Sequence, residues 1–374
     1  MRATRAVIHL ENLRHNIRVV RSEVGMGVRM CMAVKADAYG HGAVPVARAA
    51  VEQGVDALGV ATVEEGSQLR EAGIAAPILL FSPVLPEEYP EVILSALEPM
   101  LGSRREIGRL ADEAERQGRT ARAHLKIDTG MGRIGCSPEE AADLAGRIAG
   151  SRELSLAGVC THFPVADSAD SGFTVRQVET LAACVQEMRR RGIDVGLVHA
   201  ANSGAIIGRS GSRPADSQPT MVRPGIMLYG YYPSSEQERR LPLLPVMEFT
   251  SKVLFLKSVP RGTGISYGLT YSAPRDTVIA TLPVGYADGY SRLLSNRADV
   301  LIGGRRYPIA GRICMDQCMV DLGPKSRVRL LDDVVLFGPD PDGLDAEDIA
   351  NLMGTIPYEV TCLVSRRVPR LYRG

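Results

Sequence analysis

Over roughly the first 235 residues, short apolar runs alternate with longer stretches whose apolar residues recur at helical spacing, and nothing else constrains the fold as tightly. The runs at 30–35, 55–61, 77–81, 97–101, 121–127, 156–162, 196–201 and 221–229 read as strands buried on both faces. Stretches such as 43–53, 64–72, 105–117, 138–148 and 175–191 read as the helices between them. Eight β-α units in about 230 residues is the count and size of a (β/α)8 TIM-type barrel, an α/β fold. A doubly wound open sheet shows the same alternation, and spacing alone does not separate the two. The helix expected at 138–148 has a clear start: Ser137 can cap it, Pro138 takes the first helical position and Glu140 completes a capping box.

Beyond about residue 236 the long helical stretches end. Alternating runs follow at 246–259, 277–282, 300–309 and 314–322, the third folded over Gly303-Gly304, a two-residue hairpin signal. One short helix is expected at 346–353. The chain thus divides into a barrel domain over 1–235 and a mostly-β domain over 236–374. The polar stretch 208–218, rich in Gly, Ser and Arg, reads as an exposed loop between the seventh and eighth strands.

A formal net charge of +1 gives no electrostatic footprint for nucleic acid or an acidic membrane surface. No apolar run is long enough to span a bilayer, and the N-terminal segment turns polar at Glu11, short of a signal peptide's apolar core. The seven cysteines form no framework, which fits a reduced compartment; Cys314 and Cys318, the one close pair, lack the neighbouring ligands of a zinc site. The expectation is a soluble, cytoplasmic protein without a metal.

Lys35 ends the first apolar run, after Met30-Cys31-Met32-Ala33-Val34. Desolvating an ammonium is costly, so a lysine placed there has a counter-ion or a chemical task. A lysine snorkelling from a strand end is the plain alternative. Tyr39 and the Gly40-His41-Gly42 loop beside it favour a Schiff-base lysine, whose amine must be partly desolvated to act as a nucleophile. In a barrel the active site lies at the C-terminal strand ends. Asp128-Thr129-Gly130-Met131-Gly132-Arg133, His162, Asn202-Ser203-Gly204 and Arg223-Pro224-Gly225-Ile226 all fall there. Each has an ordinary reading alone; their coincidence on one face carries the weight. Residues 130–135 also match the dinucleotide fingerprint GxGxxG, but they follow a fifth strand and place an arginine where a pyrophosphate would approach the backbone.

These motifs, in this order, resemble the alanine racemases, pyridoxal-phosphate enzymes with an N-terminal (β/α)8 barrel and a C-terminal β domain. The resemblance runs nearly end to end. It rests on residues 33–42, Lys126 to Arg133, Thr161-His162-Phe163, Ala201-Asn202-Ser203 and 223–230, and in the second domain on Ser266-Tyr267-Gly268, 285–290 and Cys314-Met315-Asp316. It implies that Lys35 holds pyridoxal 5′-phosphate and works as acid/base on one face of the substrate α-carbon. Tyr267, donated by the other subunit of a homodimer, would work on the opposite face, since racemisation needs a proton removed from one side and returned on the other. A tyrosine acting near neutrality needs nearby positive charge, with His162 and the arginines as candidate sources. By the same resemblance Arg223 faces the pyridine nitrogen, where a guanidinium disfavours ring protonation, and His199 hydrogen-bonds that arginine. Tyr39, Ser203, the backbone of Gly225 and Ile226, and Tyr358 would bind the phosphate, with Asn202 beside them. Arg133 would contact the cofactor's phenolic oxygen and the substrate carboxylate, and Met315 of the partner chain would add a backbone contact. Lys126 matches a lysine that can carry a carbamate orienting that arginine. Tyr286 resembles a residue of the access corridor, and Asp316 completes the Cys-Met-Asp motif.

The implied function is alanine racemisation, with D-alanine supplied to peptidoglycan. A broad-specificity amino-acid racemase on the same scaffold is the alternative. A non-catalytic pyridoxal-phosphate-binding protein belongs to another class, but such single-barrel proteins lack the β domain and its Tyr267. No counterpart of the cysteine-containing substrate motif of the related decarboxylases is found.

Overall fold

The structure is a computed structural model, and it describes residues 2–168, 172–208, 220–234 and 236–374. The chain opens with strand β1 (Arg5–His9), which does not join the barrel. Eight parallel strands then close on one another: β2 (Arg29–Ala33), β3 (Ala57–Val60), β4 (Ile78–Leu80), β5 (Glu98–Leu101), β6 (Ala121–Lys126), β7 (Leu154–Cys160), β8 (Leu197–His199) and β9 (Met221–Val222). Closure is direct, because β9 pairs with β2 through Arg29 opposite Met221 and Met30 opposite Val222. The open-sheet alternative is thereby excluded. The strands are almost wholly buried, as expected where helices cover the outside of a parallel sheet and side chains fill its interior.

The second region contains β10 (Met247–Lys252), β11 (Phe255–Val259), β12 (Gly264–Ile265), β13 (Tyr271–Ser272), β14 (Thr277–Leu282), β15 (Asp299–Ile302), β16 (Arg305–Pro308), β17 (Cys318–Asp321), β18 (Asp333–Phe337) and β19 (Arg370–Arg373). A six-stranded sheet has the order β16-β15-β18-β10-β1-β19, and a three-stranded sheet the order β11-β14-β17. β1 and β19, the first and last strands of the chain, are parallel neighbours in the larger sheet. The β15–β16 hairpin turns on Gly303 and Gly304, both left-handed at φ 57° and 75°, a conformation that glycine adopts without steric cost.

Several local expectations shift. The eighth run is strand only over Met221–Val222; Pro224 and Gly225 then redirect the chain into a 3-10 turn, Ile226–Tyr229. The helix expected from Pro138 begins at Ala141, and Ser137 Oγ instead bonds Glu140 Oε2 (3.2 Å) across a preceding turn. The 246–259 run splits at Val253 and Leu254 into two strands belonging to different sheets. Only Cys318–Asp321 of the 314–322 run is strand. The helix Ala346–Met353 forms as expected, capped by Asp345. A further helix, Pro357–Leu363, starts with its proline at the first position. Of the 208–218 loop only Gly208, at the end of the helix Ser203–Gly208, is described; the rest lies outside the described residues. Among the described residues no helix is long and apolar enough to cross a membrane, and no His, Cys, Asp and Glu cluster could hold a metal.

Candidate active site

Strand β2 ends at Ala33, two residues before Lys35, and the chain then enters an uncommon turn. Ala36, Asp37, Ala38 and Tyr39 all lie at φ 53°. Left-handed backbone costs an L-residue roughly 1–2 kcal/mol, so four in succession must be held by their surroundings. The holding contacts are specific. Glu65 Oε1 accepts from Ala36 N–H (2.6 Å), Asp37 Oδ1 accepts from Ala43 N–H (2.7 Å), and His41 Nδ1 lies 2.9 Å from both the Ala38 and Tyr39 carbonyls. Gly40 follows at φ 82°, where an added Cβ would sit 2.2 Å from the Thr361 carbonyl oxygen. The turn aims Lys35 into a cavity of about 400 Å³. Burial lowers the amine's pKa, Arg133 adds to the effect, and Glu65 and Cys362 oppose it.

The far end of that cavity is a polar cradle. Ser203 Oγ accepts from the N–H groups of Gly225 (2.9 Å) and Met227 (3.4 Å), which leaves its hydroxyl hydrogen available to a ligand. Tyr39 Oη closes on Gly225 so nearly that a Cβ there would be 2.9 Å away. The Tyr39 ring packs between Tyr229 (4.9 Å between centroids) and Tyr358 (5.7 Å). Burial raises the pKa of both Tyr39 and Tyr358, so both hydroxyls are donors at neutral pH. Ile226 occupies the first position of the 3-10 turn, whose N–H has no partner within the turn. Asn202 also lines the cavity, but its amide is committed to Phe163 O (3.0 Å) and Ala205 N–H (3.1 Å).

Arg223, Lys126, Arg133 and His162 complete the wall. Arg223 is buried and reaches His199 Nδ1 (2.6 Å), Thr161 O (2.6 Å), Ala200 O (3.2 Å) and His162 Nδ1 (3.3 Å). Burial, reinforced by the charges of Arg223, Lys126, Arg133 and Lys35, pushes His162 down to about 2. His162 is therefore neutral, and the expectation that it contributes positive charge is corrected: it is an acceptor for Arg223. Lys126, at the end of β6, is pushed down by burial to about 8.

A second group of expected residues assembles elsewhere. Tyr267 is 70 % exposed, on a turn where Ser266 at φ 65° bonds Arg312 O through its hydroxyl (2.5 Å). Tyr286 N–H and Ala287 N–H bond the carbonyls of Cys314 (3.1 Å) and Met315 (3.0 Å), which brings Tyr286 and Met315 together on an exposed surface. Asp316 braces this region through Arg367 (2.7 Å), which also bonds the buried Asp288 (2.7 Å). Tyr267, Tyr286, Met315 and Asp316 are not among the residues lining the Lys35 cavity of their own chain.

Sequence reasoning missed Glu65, which ties the Lys35 turn to the helix Val63–Glu71 beyond β3, and the buried pair His124 and Glu98. A signal for that pair was present: polar residues inside two runs otherwise read as core strands.

Residues 8–233 match the family model "Alanine racemase, N-terminal domain", and residues 246–372 match "Alanine racemase, C-terminal domain". A protein of Treponema denticola named alanine racemase is 46 % identical, the alignment covering 100 % of this chain and 98 % of that one. One of Desulfovibrio desulfuricans is 43 % identical over 98 % of this chain and 97 % of that one. The solved alanine racemase of Clostridium difficile 630 superposes with a TM-score of 0.93 at 38 % identity, covering 100 % of this chain and 96 % of that one.

Proposed function

The chain belongs to the alanine racemase family and interconverts L- and D-alanine; we propose that it does so with pyridoxal 5′-phosphate at Lys35 and with Tyr267 of a second copy as the opposing acid/base. One observation carries this reading: a lysine of lowered pKa stands at one end of a cavity whose other end is a ready phosphate cradle. The residues fit the cofactor. Lys35 matches its aldehyde. The Tyr39, Tyr358 and Ser203 hydroxyls and the Gly225–Ile226 backbone match its phosphate, and the contact between Gly225 and Tyr39 leaves no room for a larger side chain. Bound there, the cofactor supplies the electron sink that makes the α-proton of alanine acidic.

The protein's part is to bind, orient and move protons. Lys35 Nζ holds or releases the proton on one face of the α-carbon, and Tyr267 Oη does so on the other. Arg133 holds the substrate carboxylate, aided by the Met315 backbone of the partner, while Tyr286 narrows the approach. Arg223 would meet the ring nitrogen as a fixed positive donor and would disfavour a second positive charge there. Lys126, at about 8, keeps part of its amine neutral near physiological pH, the form that a carbamate beside Arg133 requires.

A homodimer is supported by the exposed Tyr267, Tyr286 and Met315, an apolar group that does not reach its own chain's cavity. The free cysteines support a reducing, cytoplasmic location, and supply of D-alanine to peptidoglycan is the role assigned. The test is incubation with pyridoxal phosphate and a panel of L-amino acids, followed by chiral chromatography. Conversion confined to alanine is the expected result. Comparable conversion of lysine, arginine or serine would make it a broad-specificity racemase, and no conversion would make it a binding protein.

A further inference from the structure

A line of polar groups crosses the apolar interior of the barrel behind the cavity. Arg223 Nη1 lies 2.6 Å from His199 Nδ1, His199 Nε2 lies 2.9 Å from His124 Nδ1, and His124 Nε2 lies 3.0 Å from Glu98 Oε2. Glu98 Oε1 also accepts from Arg122 Nε (2.7 Å), whose side chain is half exposed near the start of β6. Arg223 has a place in the proposed function, and the resemblance sets His199 against it. His124 and Glu98 have none.

The line can run in only one direction. Arg223 offers only donors, and an ionised Glu98 only acceptors. The three gaps between them take one hydrogen each: one from Arg223 and one from each imidazole, provided that both rings are neutral and carry hydrogen on Nε2. A protonated ring would force two hydrogens into one gap. Burial holds both rings below the usual histidine value, with the Arg223 charge adding to it. Glu98, which burial alone would raise, is instead held below the usual carboxylate value by hydrogen bonds from His124 and Arg122.

The barrel is shaped around this line. The register of β6 and β7 shifts between Ala123 and His124, an irregularity of the kind that re-aims a side chain. Gly158 lies opposite His124, and a Cβ there would sit 2.7 Å from His124 Nδ1. The two imidazoles are fully buried and meet edge-on at 4.8 Å.

We propose that Glu98 is a positioning residue for racemisation: as the acceptor-only end of the relay it fixes the tautomers of His124 and His199 and so holds Arg223 in its orientation toward the cofactor ring. The inference rests on the role given to Arg223 above. Without the carboxylate, His124 can move its hydrogen to Nδ1 and His199 must follow. His199 Nδ1–H would then face an Arg223 N–H across a 2.6 Å gap, and the guanidinium would swing away.

The test is nitrogen-15 NMR of histidine-labelled, cofactor-loaded protein near neutral pH, tractable because the chain has only six histidines. His124 and His199 should both be neutral Nε2–H tautomers. Glu98→Leu should move hydrogen to Nδ1 in one or both and lower kcat about tenfold or more, with a smaller change in alanine KM. Glu98→Gln, which keeps an acceptor oxygen, should recover both tautomers and turnover relative to Glu98→Leu. An Nδ1–H or charged ring in the wild type would overturn the proposal. So would unchanged tautomers in Glu98→Leu, or changed tautomers with wild-type kcat. If Glu98→Leu does not fold, the wild type and Glu98→Gln still decide. Wild-type protein with the expected tautomers but no racemisation would refute the proposed function instead.

Discussion

Replacing Gly40 by alanine tests whether the C-terminal region braces the Lys35 turn. Gly40 lies at φ 82° and a Cβ would meet Thr361 O at 2.2 Å, a backbone atom that cannot rotate away. Gly54 is the internal reference, because its φ is 89° and nothing lies within 4 Å of its added Cβ. Gly54→Ala should therefore cost only the left-handed penalty, about 1 kcal/mol. Gly40→Ala should add overpacking of about 1–3 kcal/mol to the same penalty. At about 2.1 cal/mol/K per residue, 374 residues give an unfolding entropy near 0.8 kcal/mol/K, so the shifts in Tm are about 1–2 °C for Gly54→Ala and about 3–5 °C for Gly40→Ala. Displacing Thr361 also displaces Tyr358, one turn earlier in the same helix. If about 1.4 kcal/mol of the strain reaches that hydroxyl, pyridoxal-phosphate affinity falls about tenfold. Differential scanning calorimetry of the apoprotein and an absorbance titration with the cofactor measure both effects. Equal Tm shifts in the two variants, with unchanged cofactor affinity, would refute the bracing.

Lys35→Ala should lose the absorption band of lysine-bound cofactor together with turnover; full racemisation in that variant would overturn the assignment. Tyr267→Ala, altering a side chain that is 70 % exposed, should change monomer stability by less than about 0.5 kcal/mol. It should abolish racemisation while solvent exchange of the α-proton survives for one enantiomer; equal loss of exchange from both would make Tyr267 structural. Mixing the two inactive variants and allowing subunits to exchange should restore about a quarter of wild-type activity, because half the dimers then carry one intact shared site. No recovery in exchanged dimers would place both groups in one chain's site. Stability should also fall below pH 6.5. His41 (pushed to about 4), His162 (about 2), His124 and His199 are held neutral mainly by burial, whereas the unfolded chain takes up protons near 6.5. Their depressed folded values mean that stability is complete above 6.5 and declines as pH falls, by up to about 1.4 kcal/mol per unit for each ring still neutral. A urea midpoint unchanged between neutral and mildly acidic pH would contradict this.

The barrel was legible because most of its strands are short, largely apolar runs alternating with amphipathic helical stretches, and residues ending those runs share one cavity. The turn after Lys35 was not. Alanine, aspartate and tyrosine carry no local preference for φ 53°, so that geometry is imposed by Glu65, Asp37, His41 and the approach of Thr361. The relay was missed for a similar reason: His124 and Glu98 each look like an isolated polar residue in a core strand until the barrel sets β5 beside β6 and lets His124 reach His199 of β8 past Gly158 of β7. His162 was read with the wrong charge, because burial and neighbouring cations depend on the assembled wall. The helix Pro357–Leu363 is too short for its periodicity to declare itself.

The pairing of β1 with β19 sets an order in time. Arg370 Nε donates to the Gly40 carbonyl (3.1 Å), the Tyr372 hydroxyl crowds Gly42, and β19 docks beside the strand that opens the chain. The lysine turn thus acquires braces from residues that follow it by some 330 positions in the sequence. During synthesis the barrel strands are all made before those braces exist, so completion of the turn waits for β19. A ribosome-arrested chain lacking β19 should then take up pyridoxal phosphate poorly, and uptake equal to that of the released protein would show that the turn needs no such closure. Disturbing β19 would therefore reach the turn after Lys35 from far away in the sequence.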